Sequence, residues 1–306
     1  MTALNVPKPL RPGGTIAIVA PAGPEKNQEN LHRITELIQS WGYHVFIAGS
    51  CYGSCEDYLA GESDEHRAED LMMMFADDNI DGILCMRGGY GSNRLVDYLE
   101  DWGFDFSKYP KPFIGYSDIT YLHTYLNQKH QLITYHGPMV KELLIRNRET
   151  EASFLEALSG KERSVHKKIA FYDRNQPAVT GTLTGGNLTM LCTTLGTDQE
   201  IDTDGKILFL EEVDEPLYSI DRLLMHLAHS GKLDHVKGII LGNFKMSEPE
   251  ERTSCQNLLK KILGPLMIPV AYGFDSGHCQ PNLTIPLGGQ AALDPENGVI
   301  MFFSPS

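Results

Sequence analysis

The chain has 306 residues, 42% of them hydrophobic and 22% charged, with glycine and proline dispersed throughout, a balance that fits a globular protein and excludes a disordered or fibrous one. Its 26 basic and 40 acidic residues leave a formal charge of −14, which repels phosphate backbones and anionic lipid at long range, so neither nucleic acid nor a membrane surface is an expected partner. The length exceeds what one hydrophobic core usually supports, and two domains are expected.

Met1 to Gly14 holds no continuous apolar run before the Pro12-Gly13-Gly14 turn, so no secretory or membrane-spanning segment is expected there and the reading is cytosolic. Thr15 to Ala20 then reads as a strand ending in Pro21-Ala22-Gly23-Pro24, and Gln28 to Trp41 has apolar residues at helical spacing. The alternation continues with strand Tyr43 to Ala48, helix Asp64 to Ala76, strand Gly82 to Met86, helix Asn93 to Leu99, and strand Pro112 to Gly115 leading into helix Asp118 to Asn127. Repeated strand–helix units predict a parallel sheet covered on both faces, with ligands at the carboxyl ends of its strands. Those ends are rich in Gly, Pro or Ser: Ala20 to Pro24, Arg87 to Gly91 and Gly115 to Ser117.

Leu132 to Tyr135 reads as a further strand, followed by helical Met139 to Ile145 and Glu151 to Leu158 and a polar stretch, Gly160 to Lys168, where a domain boundary is expected. Beyond it lie strands Val179 to Leu183, Ile207 to Leu210, Gly238 to Leu241, Val270 to Tyr272, Thr284 to Pro286 and Val299 to Phe303, with helices Asn187 to Leu195, Ile220 to Ala228 and Ser254 to Leu263. This predicts a smaller mixed α/β domain. Six cysteines, at 51, 55, 85, 192, 255 and 279, form no paired zinc or disulfide spacing and read as a reduced, structural set.

Four stretches carry residues suited to chemistry. Gly115-Tyr116-Ser117-Asp118-Ile119 reads as strand, sharp turn and helix with Ser117 at the apex; such a serine either presents its hydroxyl as a nucleophile or caps the helix, and Ile119 stands where the general nucleophile turn has a second glycine. Arg87-Gly88-Gly89-Tyr90-Gly91 lets backbone approach a ligand and leaves N–H groups free for an oxyanion, carboxylate or phosphate, or is a turn needing positive φ; its glycines are not spaced for a nucleotide loop. Leu210-Glu211-Glu212-Val213-Asp214-Glu215-Pro216 runs a strand into acids. Adjacent strand positions face opposite ways, so at most one of Glu211 and Glu212 is expected in a shared site, and a metal cluster with Asp214, Glu215 and Asp221 is the alternative. The fourth, Gly277-His278-Cys279-Gln280-Pro281, sets a histidine among turn formers; Cys279 is a poor rival nucleophile because neighbouring side chains point apart, and His226 and His229 are read as surface residues. Ser117, Glu211 and His278 have the types needed for nucleophilic acyl transfer, in a cleft between the two domains.

Taken in order and spacing, Gly88-Gly89-Tyr90-Gly91, Gly115-Tyr116-Ser117-Asp118, Gly185-Gly186-Asn187-Leu188, Leu210 to Pro216 with Ile220-Asp221-Arg222, and Gly277-His278 resemble the LD-carboxypeptidase family of serine peptidases, over nearly the whole chain. The resemblance implies a flavodoxin-like parallel-sheet N-terminal domain, residues 1–165, bearing the serine, and a smaller mixed α/β C-terminal domain, residues 166–306, bearing the acid and the histidine. It implies Ser117 as nucleophile, His278 as general base, Glu211 as orienting acid with Glu212 the less favoured choice, and the backbone N–H groups of Gly89 and Asp118 as oxyanion donors. A homodimer without metal or cofactor is implied, acting on a small muropeptide in the cytoplasm and releasing the terminal D-alanine of murein tetrapeptides during wall recycling. A second branch of the family inactivates microcin-type peptide–nucleotides with help from a tryptophan-bearing loop in the C-terminal half; here the two tryptophans, Trp41 and Trp102, both lie in the first half, which favours the first branch. A binding module that holds an anionic ligand without chemistry is the reading from another class. Arg87, Arg94 and Arg222 are the candidates for the substrate's terminal carboxylate, none of them assigned.

Overall fold

A computed structural model describes residues 5–53, 63–160, 165–246, 248 and 250–303; Cys55 lies outside them. The first half alternates β1 (Thr15–Val19), α1 (Gln28–Ser40), β2 (His44–Ile47), α2 (Asp64–Ala76), β3 (Gly82–Cys85), α3 (Leu95–Asp101), β4 (Phe113–Gly115), α4 (Thr120–Lys129), β5 (Thr134–His136), α5 (Val140–Leu143) and α6 (Arg148–Leu158). Each helix start is chemically marked where a polar side chain is available: Asn27 caps α1, Ser63 caps α2 and Asn147 caps α6, each accepting a backbone N–H of the first turn.

Strands β2, β1, β3, β4 and β5 lie in that order and all pair in parallel, the doubly wound arrangement in which strand order reverses beside β1. Because side chains alternate across a strand, β1 sends Ala17 and Val19 to one face, with α2, α3 and α4, and Ile16 and Ile18 to the other, with α1, α5 and α6. That double coverage explains why β1 and β3 are apolar almost without interruption.

The second half contributes β6 (Val165–Lys168), β7 (Ala170–Phe171), β8 (Val179–Asn187), α7 (Leu188–Thr194), β9 (Ile207–Val213), α8 (Leu217–His229), β10 (Gly238–Lys245), α9 (Glu251–Leu263), β11 (Val270–Tyr272), β12 (Ile285–Leu287), β13 (Gln290–Asp294) and β14 (Val299–Phe302). Its sheet runs β6-β14-β13-β8-β9-β10-β11-β7, parallel from β8 to β11 and antiparallel at both ends. Helices α7, α8 and α9 cover one face, and the other closes on Phe274, Ile285, Leu287 and the apolar side of β13 and β14. The strand β12 crosses back and pairs antiparallel with β5, completing the first sheet with a sixth strand.

Three strands depart from the sequence reading. Val165–Lys168 falls in the stretch read as polar connection, and Ala170–Phe171 and Gln290–Asp294 were not expected; β6 and β13 exist through antiparallel pairing with β14, a long-range contact that local pattern does not encode. The strand β9 also continues past Leu210 through Glu211 and Glu212, both buried, because each carboxylate finds a partner.

The two halves meet where β8 runs over the start of α4. Gly186, at φ 144°, leaves no room for a side chain: a Cβ there would stand 2.6 Å from Thr120 Oγ1, and the next amide, Asn187 N–H, donates to that hydroxyl at 3.0 Å. Gly185, at φ 125°, lies against β9 so closely that a Cβ would collide with the Phe209 carbonyl. Gly185→Ala is therefore expected to cost roughly 3 kcal/mol or more of unfolding free energy, read as a lower midpoint in urea denaturation.

Candidate active site

Ser117 follows β4 with φ 65°, in the left-handed region that residues with a Cβ rarely occupy. The preceding Tyr116 is extended, and a short 3₁₀ turn, Ser117–Ile119, feeds α4. This is a strand–turn–helix elbow with a half-buried serine at its apex. The capping alternative is not what the chain adopts: no side chain caps either the 3₁₀ turn or α4, and among the described residues the Ser117 hydroxyl makes no hydrogen bond. Ile119, the residue in place of the second glycine, is accommodated by Gly115, where a Cβ would stand 2.9 Å from Ile119 Cγ2.

The loop after β3 packs directly on the elbow. A Cβ on Gly88 would lie 2.9 Å from Ser117 Cβ and 3.0 Å from its Oγ, so only glycine brings this backbone so close. The N–H groups of Gly89, next to the glycine packed on Ser117, and of Asp118, next to Ser117 itself, donate to no described residue. The two loops are locked by Asp118, whose buried carboxylate accepts Ser92 N–H at 2.9 Å and a further backbone N–H from Gly91, while Ser92 Oγ donates to the Asp118 carbonyl at 2.6 Å. Burial raises the Asp118 pKa, against those hydrogen bonds and the charge of Arg67.

Arg67, 1% exposed, lies behind this lock. Its guanidinium donates to the carbonyls of Pro21, in the loop after β1, and of Gly91 at 3.2 Å, in the loop after β3, and pairs with Asp64. Sequence reasoning missed it, although the signal was available: Arg67 shares the buried stripe of α2 with Leu71 and Met74, and a charge there needs partners.

His278 sits in the loop between β11 and β12. Its Nδ1 meets Glu211 Oε2 at 2.7 Å, and the Glu211 side chain is fully buried, with its other oxygen unpaired among the described residues. Gly277, at φ 104°, permits the approach, since a Cβ would lie 2.5 Å from Glu211 Oε2. Asn282 Oδ1 accepts Gly277 N–H at 3.0 Å, and Thr150 Oγ1 of α6 accepts Asn282 N–H at 2.9 Å, so a helix of the first half anchors the loop that carries the histidine. Burial alone would lower the His278 pKa, but the hydrogen bond and charge of Glu211, with the fields of Glu142 and Glu212, hold it above the ordinary 6.5. The imidazole meets the Tyr116 ring edge-on at 4.8 Å, and the Tyr116 hydroxyl hydrogen-bonds Glu142.

The structure thus brings Glu211 to His278 and His278 to the residue preceding Ser117; no hydrogen bond joins Ser117 to His278. Glu212 turns the other way and is consumed at the start of α7, accepting Asn187 Nδ2 at 2.8 Å and Thr189 N–H and Oγ1 at 2.8 and 2.7 Å. Asp221, His226 and His229 are exposed on α8, and among the described residues no three His, Cys, Asp or Glu side chains are grouped to hold a metal ion. Burial pushes the Cys279 thiol up to about 12, and its Sγ donates to the Pro281 carbonyl at 3.0 Å, so it is not a competing nucleophile. Among the described residues no helix is long and apolar enough to cross a membrane.

Known proteins carry the same architecture. Residues 16–137 match the family model for the LD-carboxypeptidase N-terminal domain, and residues 180–293 the model for the LD-carboxypeptidase C-terminal domain. The chain belongs to the LD-carboxypeptidase family of serine peptidases. It is 37% identical over 298 residues to the "Probable murein peptide carboxypeptidase" of Bacillus subtilis (strain 168), covering 94% of this chain and 91% of that one. The crystal structure of muramoyltetrapeptide carboxypeptidase from Oxalobacter formigenes superposes with a TM-score of 0.81 at 31% identity, over 95% of this chain and 99% of that one. The microcin C7 self immunity protein MccF in its wild-type apo state superposes with a TM-score of 0.87 at 26% identity, over 98% of each.

The geometry sets a pH dependence. His278 as the expected general base must be neutral to act, and its pKa is raised above the ordinary 6.5, so the expectation is that kcat/KM rises with pH through a limb displaced to the alkaline side of an ordinary imidazole. Glu211→Gln should move that limb to lower pH and reduce kcat by roughly 10²–10⁴-fold, which a pH–rate profile of both proteins measures. Asp118→Ala should release the lock between the elbow and the loop after β3, lowering kcat by about 10²-fold or more with little change in KM, as steady-state kinetics would show.

Proposed function

We propose that the chain is a serine carboxypeptidase that hydrolyses an L,D-peptide bond and releases the terminal D-alanine from murein tetrapeptides in wall recycling, through Ser117, His278 and Glu211. The observation that carries this reading is the 2.7 Å contact between His278 Nδ1 and buried Glu211, on an imidazole packed against the residue next to the strained Ser117. The relatives named for murein peptides support the substrate.

In this mechanism Ser117 Oγ attacks the scissile carbonyl carbon while His278 Nε2 takes the hydroxyl proton; Glu211 fixes the tautomer and stabilises the imidazolium. The N–H groups of Gly89 and Asp118 receive the oxyanion. Collapse breaks the C–N bond, the imidazolium protonates the leaving amine of D-alanine, and water activated by His278 then hydrolyses the acyl-serine, restoring Ser117. We place the functional division of the chain at residues 1–165 and 166–306, with a homodimer as the working assembly. MccF, bound to glutamyl sulfamoyl guanosine in another structure, represents the alternative reading of a peptide–nucleotide substrate. Against it, Trp41 packs on Phe154 and Trp102 on Tyr98, both within the first half, and the C-terminal half has no tryptophan to stack on a base.

Ser117→Ala should abolish D-alanine release from a murein tetrapeptide by roughly 10⁴-fold or more while leaving the melting temperature in place, both measured on one preparation. Unchanged turnover would remove the triad reading, and release of a nucleotide from a peptidyl-nucleotide in preference to D-alanine would favour the alternative.

A further inference from the structure

A carboxypeptidase must hold the free carboxylate of its substrate's last residue, and the arrangement around the oxyanion loop identifies which group does so. Three arginines have the right chemistry. Arg94 is committed, its Nε 2.6 Å from Asp64. Arg222 lies over the Tyr218 ring at 5.4 Å on the exposed face of α8. Arg87 is exposed and makes no hydrogen bond or ion pair with any described residue, in a chain whose 40 acidic residues outnumber its 26 basic ones.

Arg87 is nevertheless held in place. Gly23, buried in the loop after β1, leaves a notch that the arginine stem occupies: a Cβ on Gly23 would stand 3.2 Å from both Cδ and Nε of Arg87. A Cβ on Gly89 would lie 4.0 Å from the guanidinium Nη2. Gly23 N–H also donates to the Gly88 carbonyl at 3.3 Å, so the loop that forms the notch is hydrogen-bonded to the Gly88-Gly89 loop. The uncompensated cation thus lies beside Gly89, the residue whose N–H the proposed mechanism assigns to the oxyanion, and Gly88 is the residue packed on Ser117.

We propose that Arg87 binds the C-terminal carboxylate of the substrate and makes the site selective for free-acid peptides; this rests on the peptidase reading above. The reach is right: three bonds separate the scissile carbon from the terminal carboxylate carbon, roughly 4 Å of chain, so an oxyanion at Gly89 N–H places the carboxylate within a guanidinium's reach of the same loop. Polarity agrees, because His278 lies in the field of Glu211, Glu142 and Glu212, which repels a carboxylate from the opposite wall. A planar guanidinium offers paired donors to a carboxylate, so Lys is an incomplete substitute.

The test uses Ser117→Ala protein, which retains the site without turnover, carrying Arg87, Arg87→Lys or Arg87→Met; methionine keeps the apolar stem in the Gly23 notch and removes the charge. Each is titrated calorimetrically with a murein tetrapeptide ending in D-alanine and with its C-terminal carboxamide. With Arg87 the free acid should bind about 10–100-fold more tightly than the amide. Arg87→Met should close that gap to within about threefold by weakening the acid alone, and Arg87→Lys should keep part of it. An unchanged acid-to-amide ratio in Arg87→Met, equal weakening of both probes, or no preference for the acid in the parent would overturn the assignment. D-alanine release by the protein with Ser117 intact is followed in parallel: its absence alongside an Arg87-dependent gap would sink the peptidase reading and leave the carboxylate site standing.

Discussion

Ser117 sits in a backbone conformation that a residue with a side chain enters only under compulsion, at a cost of order 1–3 kcal/mol, and the surrounding structure is arranged to hold it there. The turn cannot relax backward, because Gly88 and its loop lie on the serine side chain, or forward, because the Asp118 carboxylate is tied to Ser92 and Gly91. Behind that tie, Arg67 joins the loops after β1 and β3 at the point where the strand order reverses, where a doubly wound sheet opens a crevice. Glycine at 88 and 115 is what lets strained backbone pack so tightly.

Buried charge is the second organising feature. Arg67, Asp118, Glu211 and Glu212 are all 3% exposed or less, and each would be costly without partners. Arg67 and Glu212 spend their hydrogen bonds on loop carbonyls and a helix start, as fasteners. Glu211 differs, because one oxygen meets a titratable ring and the other has no hydrogen-bond partner among the described residues. A buried carboxylate left half satisfied beside an imidazole favours the protonated ring.

The halves are joined by side chains and backbone that ordinary packing would not require. Thr120, three residues past the serine, accepts the Asn187 amide of β8, and Thr150 on α6 anchors Asn282 in the histidine loop. Strand β12, late in the chain, closes the edge of the first sheet. The elbow and the His278 loop are therefore referenced to common elements, and Tyr116, between His278 at 4.8 Å and His136 at 5.6 Å, fills the space between them.

Much of this was legible in the residues alone. The apolar runs of β1 and β3 and the 3.6-residue stripes of the helices determine a parallel sheet buried on both faces, because burial and period are local properties. The Ser117 turn, the Gly88-Gly89 loop and the Gly277-His278 turn announce themselves by residue types suited to strained or closely approached backbone. Pairing of remote segments decided the rest. Strands β6 and β13 exist through antiparallel partners, and Glu211 rather than Glu212 reaches the histidine because β9 continues past Leu210 and the pleat assigns alternate residues to opposite sides. Likewise the sequence names three arginines of equal chemistry, and only the fold gives Asp64 to Arg94, Tyr218 to Arg222 and the notch at Gly23 to Arg87, since which charges find partners depends on distances between segments far apart in the chain.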